Sequence, residues 1–314
     1  MSKVLIVIKS GGIGDLCILI SNIHAVSQKI NQPVTVLAQK NTHANEIFKY
    51  DPHIDDVIEL DEKEIKSFFS IIKKIKDKNF NQSYIYSDSI RFYLISKLSG
   101  IKNNFHYNFF SKKGKNFYKT AKKFTEESIN KEIEPQSKIY PNNLEVDIVK
   151  KKFLISNNEK NIVCGISASG PTKRWGVKNY IQLFEKLNSK FQCKFFLAAG
   201  ANDEMLINEI MRSSVGKNCI SFSKMKIGET IPIIGACNFF FGNDTGFGHI
   251  SSALGLKCLF LFMDSPPSAY GMYSKNISII VPDGETIESC GHNTKGKNNI
   301  SFDKVVNKAL QILA

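Results

Sequence analysis

Short apolar runs of strand length alternate with stretches of helical spacing along almost the whole chain, and this alternation restricts the fold more than any other feature. Val4–Ile8 (VLIVI) is apolar throughout, as a parallel strand buried on both faces must be. Asp15–Ile30 then has helical periodicity, followed by PVTVLA as a second strand and THANEIFKY as a short helix. Val57–Leu60 reads as a third strand, EIKSFFSIIKKIKDK as a helix, SYIYS as a strand and IRFYLISKL as a helix. Such a βαβ succession builds a parallel sheet covered on both faces.

From Lys102 to Lys138 the pattern loosens into basic and aromatic sequence, read as a solvated loop with a helix or two. A helix around Asn143–Phe153 precedes SNNEKN, the best linker in the chain. After it the alternation restarts with NIVCGI, VKNYIQLFEKLNSKF, CKFFLAA, NDEMLINEIMRS, NCISF, GETIPIIGAC, NFFFG, GHISSAL and KCLFLF. The tail SFDKVVNKALQIL is an amphipathic helix with Ser301 or Asp303 as cap, free to pack back on the first half. With 314 residues there is chain enough for two domains. The expected class is α/β: two doubly wound, Rossmann-like domains, 1–155 and 156–314, facing across a cleft where the site should lie.

The net charge of +13 admits phosphorylated ligands, anionic membranes or nucleic acid as partners. No basic motif interleaved with aromatics matches a nucleic-acid module, so nucleic acid is not an expected partner. The seven cysteines are scattered without a C-x-x-C pair, which points to a reducing cytoplasm and to no zinc site. No apolar run reaches the length of a membrane span, so membrane contact is expected to be peripheral.

Three junctions follow predicted strands, where open α/β sheets bind ligands. In GGIGDL (11–16), Gly11, Gly12 and Gly14 precede Asp15. The spacing is neither a dinucleotide fingerprint nor a P-loop, and a carboxylate repels phosphate. Asp15 is then either a helix cap or a group placed for chemistry. In ISASGPTKRWGVKNY (166–180), Ser167, Ser169, Lys173 and Arg174 suit an anionic phosphate, although exposed basic loops are common. In FFFGNDTGFGHISSALG (239–255), Asp244, Thr245 and Gly246 lead into a helix beginning near His249. A helix N-terminus there suits a diphosphate, and Asp244 could accept bonds from sugar hydroxyls. The plainer reading makes Asn243 or Asp244 a cap and His249 a core histidine.

Together these elements resemble the bacterial heptosyltransferases, the family 9 glycosyltransferases of GT-B fold. The resemblance rests on KVLIVIKSGGIGDL, TKRWGVKNYIQLFEKL and DTGFGHISSALGLKCLFLF, in order over most of the chain and weakest at 100–140. It implies inverting, metal-independent transfer of heptose from ADP-heptose to the inner core of lipopolysaccharide, at the cytoplasmic face of the inner membrane. By motif, Asp15 resembles the general base and Lys173 the lysine on the donor phosphates, with Ser169 and Arg174 beside it. Asp244 resembles the carboxylate on the donor sugar, and Thr245, Gly246 and His249 the diphosphate lodge. Glu204, in LAAGANDEMLINEI, resembles the acid that meets the nucleoside. Gly12 and Gly14, with Lys112, Lys113 and Lys115, fall in the half expected to bind the anionic acceptor.

The sequence departs from the family where Phe247 and Gly248 stand in place of the commoner Pro or Leu and Met or Ser, and where SCGHNTKG keeps only Cys290. Two other readings remain open at this point. One is a transferase of this fold with another nucleotide-sugar or acceptor; the other is a non-catalytic nucleotide-sugar-binding protein, which would have no need of Asp15. A nicotinamide dehydrogenase is disfavoured, since its glycine fingerprint is missing.

Overall fold

In a computed structural model of the chain, residues 3–9, 11–107, 116–292 and 300–314 are described. The chain divides into two compact units, 1–137 and 138–314. In the first, β1 (Val4–Ile8), α1 (Ile13–Ile30), β2 (Val34–Gln39), α2 (Ala44–Ile47) and β3 (Ile54–Leu60) are followed by α3 (Glu62–Lys66) and α4 (Phe68–Lys76). Next come β4 (Gln82–Tyr86), α5 (Ile90–Leu98), β5 (Asn103–His106) and α6 (Phe117–Ile129). The sheet order is β3-β2-β1-β4-β5, all parallel, so the winding reverses between β1 and β4.

Ile71 and Ile75 of α4 and Phe92 and Ile95 of α5 share one buried cluster with Leu5, Val7 and Ile85 of the sheet. α6 packs on α1. There the Thr125 hydroxyl lies 2.9 Å from both Asn22 Oδ1 and the Tyr86 hydroxyl, a buried polar link between α1, β4 and α6. The single helix expected over 64–78 is two. Asp61 closes a capping box over α3, and the Ser67 hydroxyl accepts from the Ser70 N–H at the start of α4. β5 went unread in the sequence because it is a short, polar edge strand.

In the second unit, α7 (Asn143–Lys152) leads to β6 (Lys160–Gly165), α8 (Val177–Asn188), β7 (Cys193–Leu197) and α9 (Glu204–Met211). β8 (Cys219–Ser221), α10 (Ile227–Gly235), β9 (Phe239–Asn243), α11 (Gly246–Ala253) and β10 (Lys257–Leu261) follow. The chain ends with α12 (Pro267–Tyr270), β11 (Ile277–Ile280) and α13 (Phe302–Leu313). The order is β11-β10-β9-β6-β7-β8, all parallel, with the reversal between β6 and β9. α7 packs on α10, and the Ile139 N–H donates to the Ala253 carbonyl at 2.9 Å, so the chain from residue 138 onward belongs with this unit. α13 packs on α8 and β10, burying Val305, Ala309 and Leu313 in the unit's core.

The central strand β9 is buried along its whole length. Each fully buried ring, such as Phe240 or Phe241, stabilises the fold by about 1.5–3 kcal/mol. All seven cysteines are free and buried, packed as small apolar side chains.

Gly248, on the first turn of α11, lies against this core. A Cβ there would sit 2.6 Å from Phe260 Cζ and 2.8 Å from Phe240 Cε1. Gly248→Ala should therefore destabilise the protein by about 1–3 kcal/mol through overpacking, read as a lower urea midpoint at unchanged m-value. A midpoint equal to the parent's would show that the rings yield freely.

Candidate active site

Both sheets expose the C-terminal ends of their central strands at a winding reversal, the position where open α/β sheets bind ligands. In the first unit, the segment after β1 lies at the β1/β4 reversal. α1 begins at Ile13, not at Asp15, with Gly12 as an extended N-cap (φ −124°, ψ 154°) that offers no side chain. Asp15 is thus the third residue of the helix, half-buried in its first turn, so it is not the N-cap residue. A carboxylate in this turn sits in the favourable field of the helix N-terminus. Gly11 is held closely, since a Cβ would lie 3.2 Å from Gln39 Oε1, and Gln39 itself donates to the Lys9 carbonyl at 2.6 Å. Lys9 Nζ lies 3.9 Å from Asp88 Oδ1, between the segments that follow β1 and β4.

In the second unit, the loop after β6 and the turn after β9 are joined by Asn243, which is fully buried. Its Oδ1 accepts from the Trp175 N–H at 3.1 Å and its amide donates to the Ser167 carbonyl at 3.4 Å. Trp175 is a core anchor: its indole N–H donates to the Ile300 carbonyl at 2.9 Å, and its ring stacks on Phe302. Pro171–Lys173 form a single 3₁₀ turn just before it, which leaves Lys173 half-buried.

Arg174 reaches sideways to the loop after β7, where its guanidinium donates to Asp203 Oδ1 at 2.9 Å. The Ser167 hydroxyl donates to Asp203 Oδ2 at 2.6 Å. The structure therefore brings Asp203, not the adjacent Glu204, to Arg174. Glu204 is exposed as the first residue of α9, and Ser169 is also exposed. Sequence reasoning passed over Asp203 because the spacing of two neighbouring acids does not say which one a 3₁₀ turn (Ala201–Asp203) directs inward.

After β9, Thr245 is the N-cap of α11, and its hydroxyl accepts from the Gly248 N–H at 3.4 Å. The helix starts at Gly246, earlier than the sequence suggested. Asp244 stands just before the cap, with its two oxygens engaged by His249 Nε2 at 3.0 Å and by the Ser265 hydroxyl at 2.8 Å. His249 Nδ1 lies 2.9 Å from the Tyr273 hydroxyl, so the imidazole is fixed at both nitrogens. Burial pushes the Asp244 carboxyl up, but hydrogen bonding and charge from His249, with Ser265 and Lys173, outweigh it and hold the group below its usual range. Tyr273 and Ser265 have no signal in the sequence, as they lie far along the chain from the turn they support.

Phe247 packs near Phe222, with ring centroids 5.9 Å apart, and Gly248 points into the core. Gly248 therefore sets how closely α11 lies on the sheet. Lys112, Lys113 and Lys115 lie outside the described residues. No group of three or more His, Cys, Asp or Glu among the described residues is placed to hold a metal ion. No helix among them is long and apolar enough to cross a membrane.

Comparison with known proteins agrees with this architecture. The family model for glycosyltransferase family 9 (heptosyltransferase) matches residues 115–299. No curated protein sequence matches. Among solved structures, Escherichia coli ADP-heptose lipopolysaccharide heptosyltransferase II has a TM-score of 0.74 at 17% identity, covering 99% of this chain and 98% of that one. A family 9 glycosyl transferase from Veillonella parvula has a TM-score of 0.79 at 15% identity, covering 99% and 97%. The E. coli heptosyltransferase WaaC with ADP has a TM-score of 0.72 at 15% identity, covering 99% and 98%. At such identities the likeness to solved structures is one of fold, here GT-B. With the family model spanning more than half of its length, the chain belongs to glycosyltransferase family 9, the heptosyltransferases.

Proposed function

We propose that this glycosyltransferase moves heptose from ADP-heptose to the inner core of lipopolysaccharide, with inversion and without a metal. The observation that carries this reading is the grouping of Lys173, Asp244 and the start of α11 at the β6/β9 reversal, with Asp15 at the β1/β4 reversal. Two E. coli structures of the same fold are described as an ADP-heptose lipopolysaccharide heptosyltransferase and as a heptosyltransferase with ADP, which supports an ADP-sugar donor.

In this mechanism the acceptor hydroxyl attacks the anomeric carbon from the face opposite the diphosphate. Its proton passes to the Asp15 carboxylate, the glycosidic bond forms, and the bond to the diphosphate oxygen breaks with its electron pair. Negative charge grows on the departing diphosphate, and Lys173 and the first-turn amides of α11, near Thr245 and Gly246, meet it. Asp244, kept ionised by His249, accepts hydrogen bonds from hydroxyls of the sugar. Arg174 acts through Asp203, fixing the loop that carries Lys173 against the loop after β7. Gly12 and Gly14 limit side-chain bulk at the entrance to α1, and Lys112, Lys113 and Lys115 attract the anionic acceptor.

A charge-assisted contact to phosphate is worth about 1.5–3 kcal/mol, so Lys173→Ala should weaken ADP binding by about one to two orders of magnitude in calorimetry. Transfer should persist in EDTA; activity that vanishes with EDTA and returns with a divalent ion would overturn the metal-free mechanism.

Asp15→Asn keeps size and removes the base. Folding and ADP affinity should survive while kcat falls by at least about 10². Turnover within a few-fold of the parent would exclude Asp15 as the base.

Asp244 ionises lower in the folded chain than in the unfolded one, so it contributes stability above the unfolded value of about pH 4. That contribution is lost as pH falls through the lower folded value. Asp244→Asn should therefore be less stable than the parent at neutral pH, and the gap should close below about pH 4. Denaturant titrations that show the same gap at both pH values would remove the charge from the argument.

A further inference from the structure

The outer face of α5 is apolar where a solvated helix face should be polar. On α5, Ile90, Leu94 and Leu98 are 60%, 42% and 59% exposed. Steps of four residues place them on one side of the helix, in a stripe about 12 Å long. The opposite side of α5 is the buried one, with Phe92, Ile95 and Ser96. The neighbouring α4 adds Phe69, which is 80% exposed. Single exposed apolar side chains are ordinary, but a stripe along one helix, with an exposed ring on the helix packed beside it, marks a binding surface.

Charge identifies what would cover it. From Lys66 to Lys102 the chain carries eight Lys or Arg and two acids, Asp77 and Asp88. Lys66, Lys73, Lys76, Lys97 and Lys102 are exposed, and none pairs with an acid among the described residues. Lys73 and Lys76 follow Phe69 on one side of α4, and Lys97 sits beside Leu98 on α5. An apolar stripe bordered by unpaired lysines is complementary to a bilayer with anionic headgroups: the aliphatic and aromatic groups enter the acyl boundary while the ammonium groups stay at phosphate level. A second copy of the chain fits less well, since a two-fold contact through this surface would set lysines opposite lysines.

We propose that the outer surface of α4 and α5 docks the protein on an anionic lipid bilayer. This deepens the reading of a lipid-linked acceptor and rests on it for its purpose, but lipid binding is measured with neither donor nor acceptor present, so the two fail separately. The parent protein should co-sediment with vesicles of phosphatidylcholine containing phosphatidylglycerol and much less with phosphatidylcholine alone. Ile90→Gln, Leu94→Gln and Leu98→Gln together should lower the partition coefficient by about tenfold, since binding follows buried apolar area. Thermal melting and ADP binding should stay as in the parent. Lys73→Gln, Lys76→Gln and Lys97→Gln together should lower binding at low salt, with the difference shrinking as salt is raised. The proposal is overturned if the parent ignores phosphatidylglycerol vesicles, or if the apolar variant binds them as the parent does. It is equally overturned if sedimentation velocity shows a parent dimer that the apolar variant converts to monomer.

Discussion

Two glycines set the geometry at the centre of the second sheet. A Cβ on Gly242 would lie 2.5 Å from the Gly165 backbone nitrogen, and one on Gly165 would lie 2.7 Å from Phe240 Cζ. β6 and β9 therefore finish side by side with no room for a side chain between them. The next residues diverge from that point, and Asn243 spans the gap they leave, holding Trp175 and Ser167 from one carboxamide. Lys173 lies on the loop between these two anchored residues, and Asp244 is the immediate neighbour of Asn243. The placement of Lys173 and Asp244 thus follows from a backbone contact that only glycine permits.

The acids of that region are committed within the protein. Asp203 is held by Arg174 and Ser167, Asp244 by His249 and Ser265, and Asp264 by Thr172 at 2.8 Å. The Lys173 ammonium makes no hydrogen bond or ion pair with the described residues, although its charge is felt at Asp244. The arrangement engages these carboxylates internally with hydrogen-bond donors and leaves the Lys173 ammonium without a partner among the described residues. Each interaction also has its orientation fixed in advance, so little reorganisation accompanies binding.

The parallel strands were legible because burial on both faces leaves continuous apolar runs, as in VLIVI and NFFFG. The edges were not. β5 reads NNFH, and β11, with three of its four residues only half-buried, is a short run beside a proline that carries no alternation. Helix starts misled where glycine stands inside the first turn: Gly14 in α1 and Gly248 in α11 are poor helix formers, retained here within the helices by their packing and caps. The three glycine-containing loops were legible because each follows a strand with a continuous apolar run. The groups that support them were hidden, since Tyr273, Ser265 and Asp203 come to the site through tertiary folding.

The only tryptophan of the chain stands next to Lys173 and Arg174, yet its ring is buried and turned toward the last helix. One side chain therefore joins the loop that carries the lysine to Ile300 and Phe302, far away in sequence. Its indole is a natural fluorophore in a position where both ends of that connection alter its surroundings. Ligand engagement at the loop and loosening of the terminal helix would register in the same emission band, and a truncation that frees the helix would be felt at the lysine.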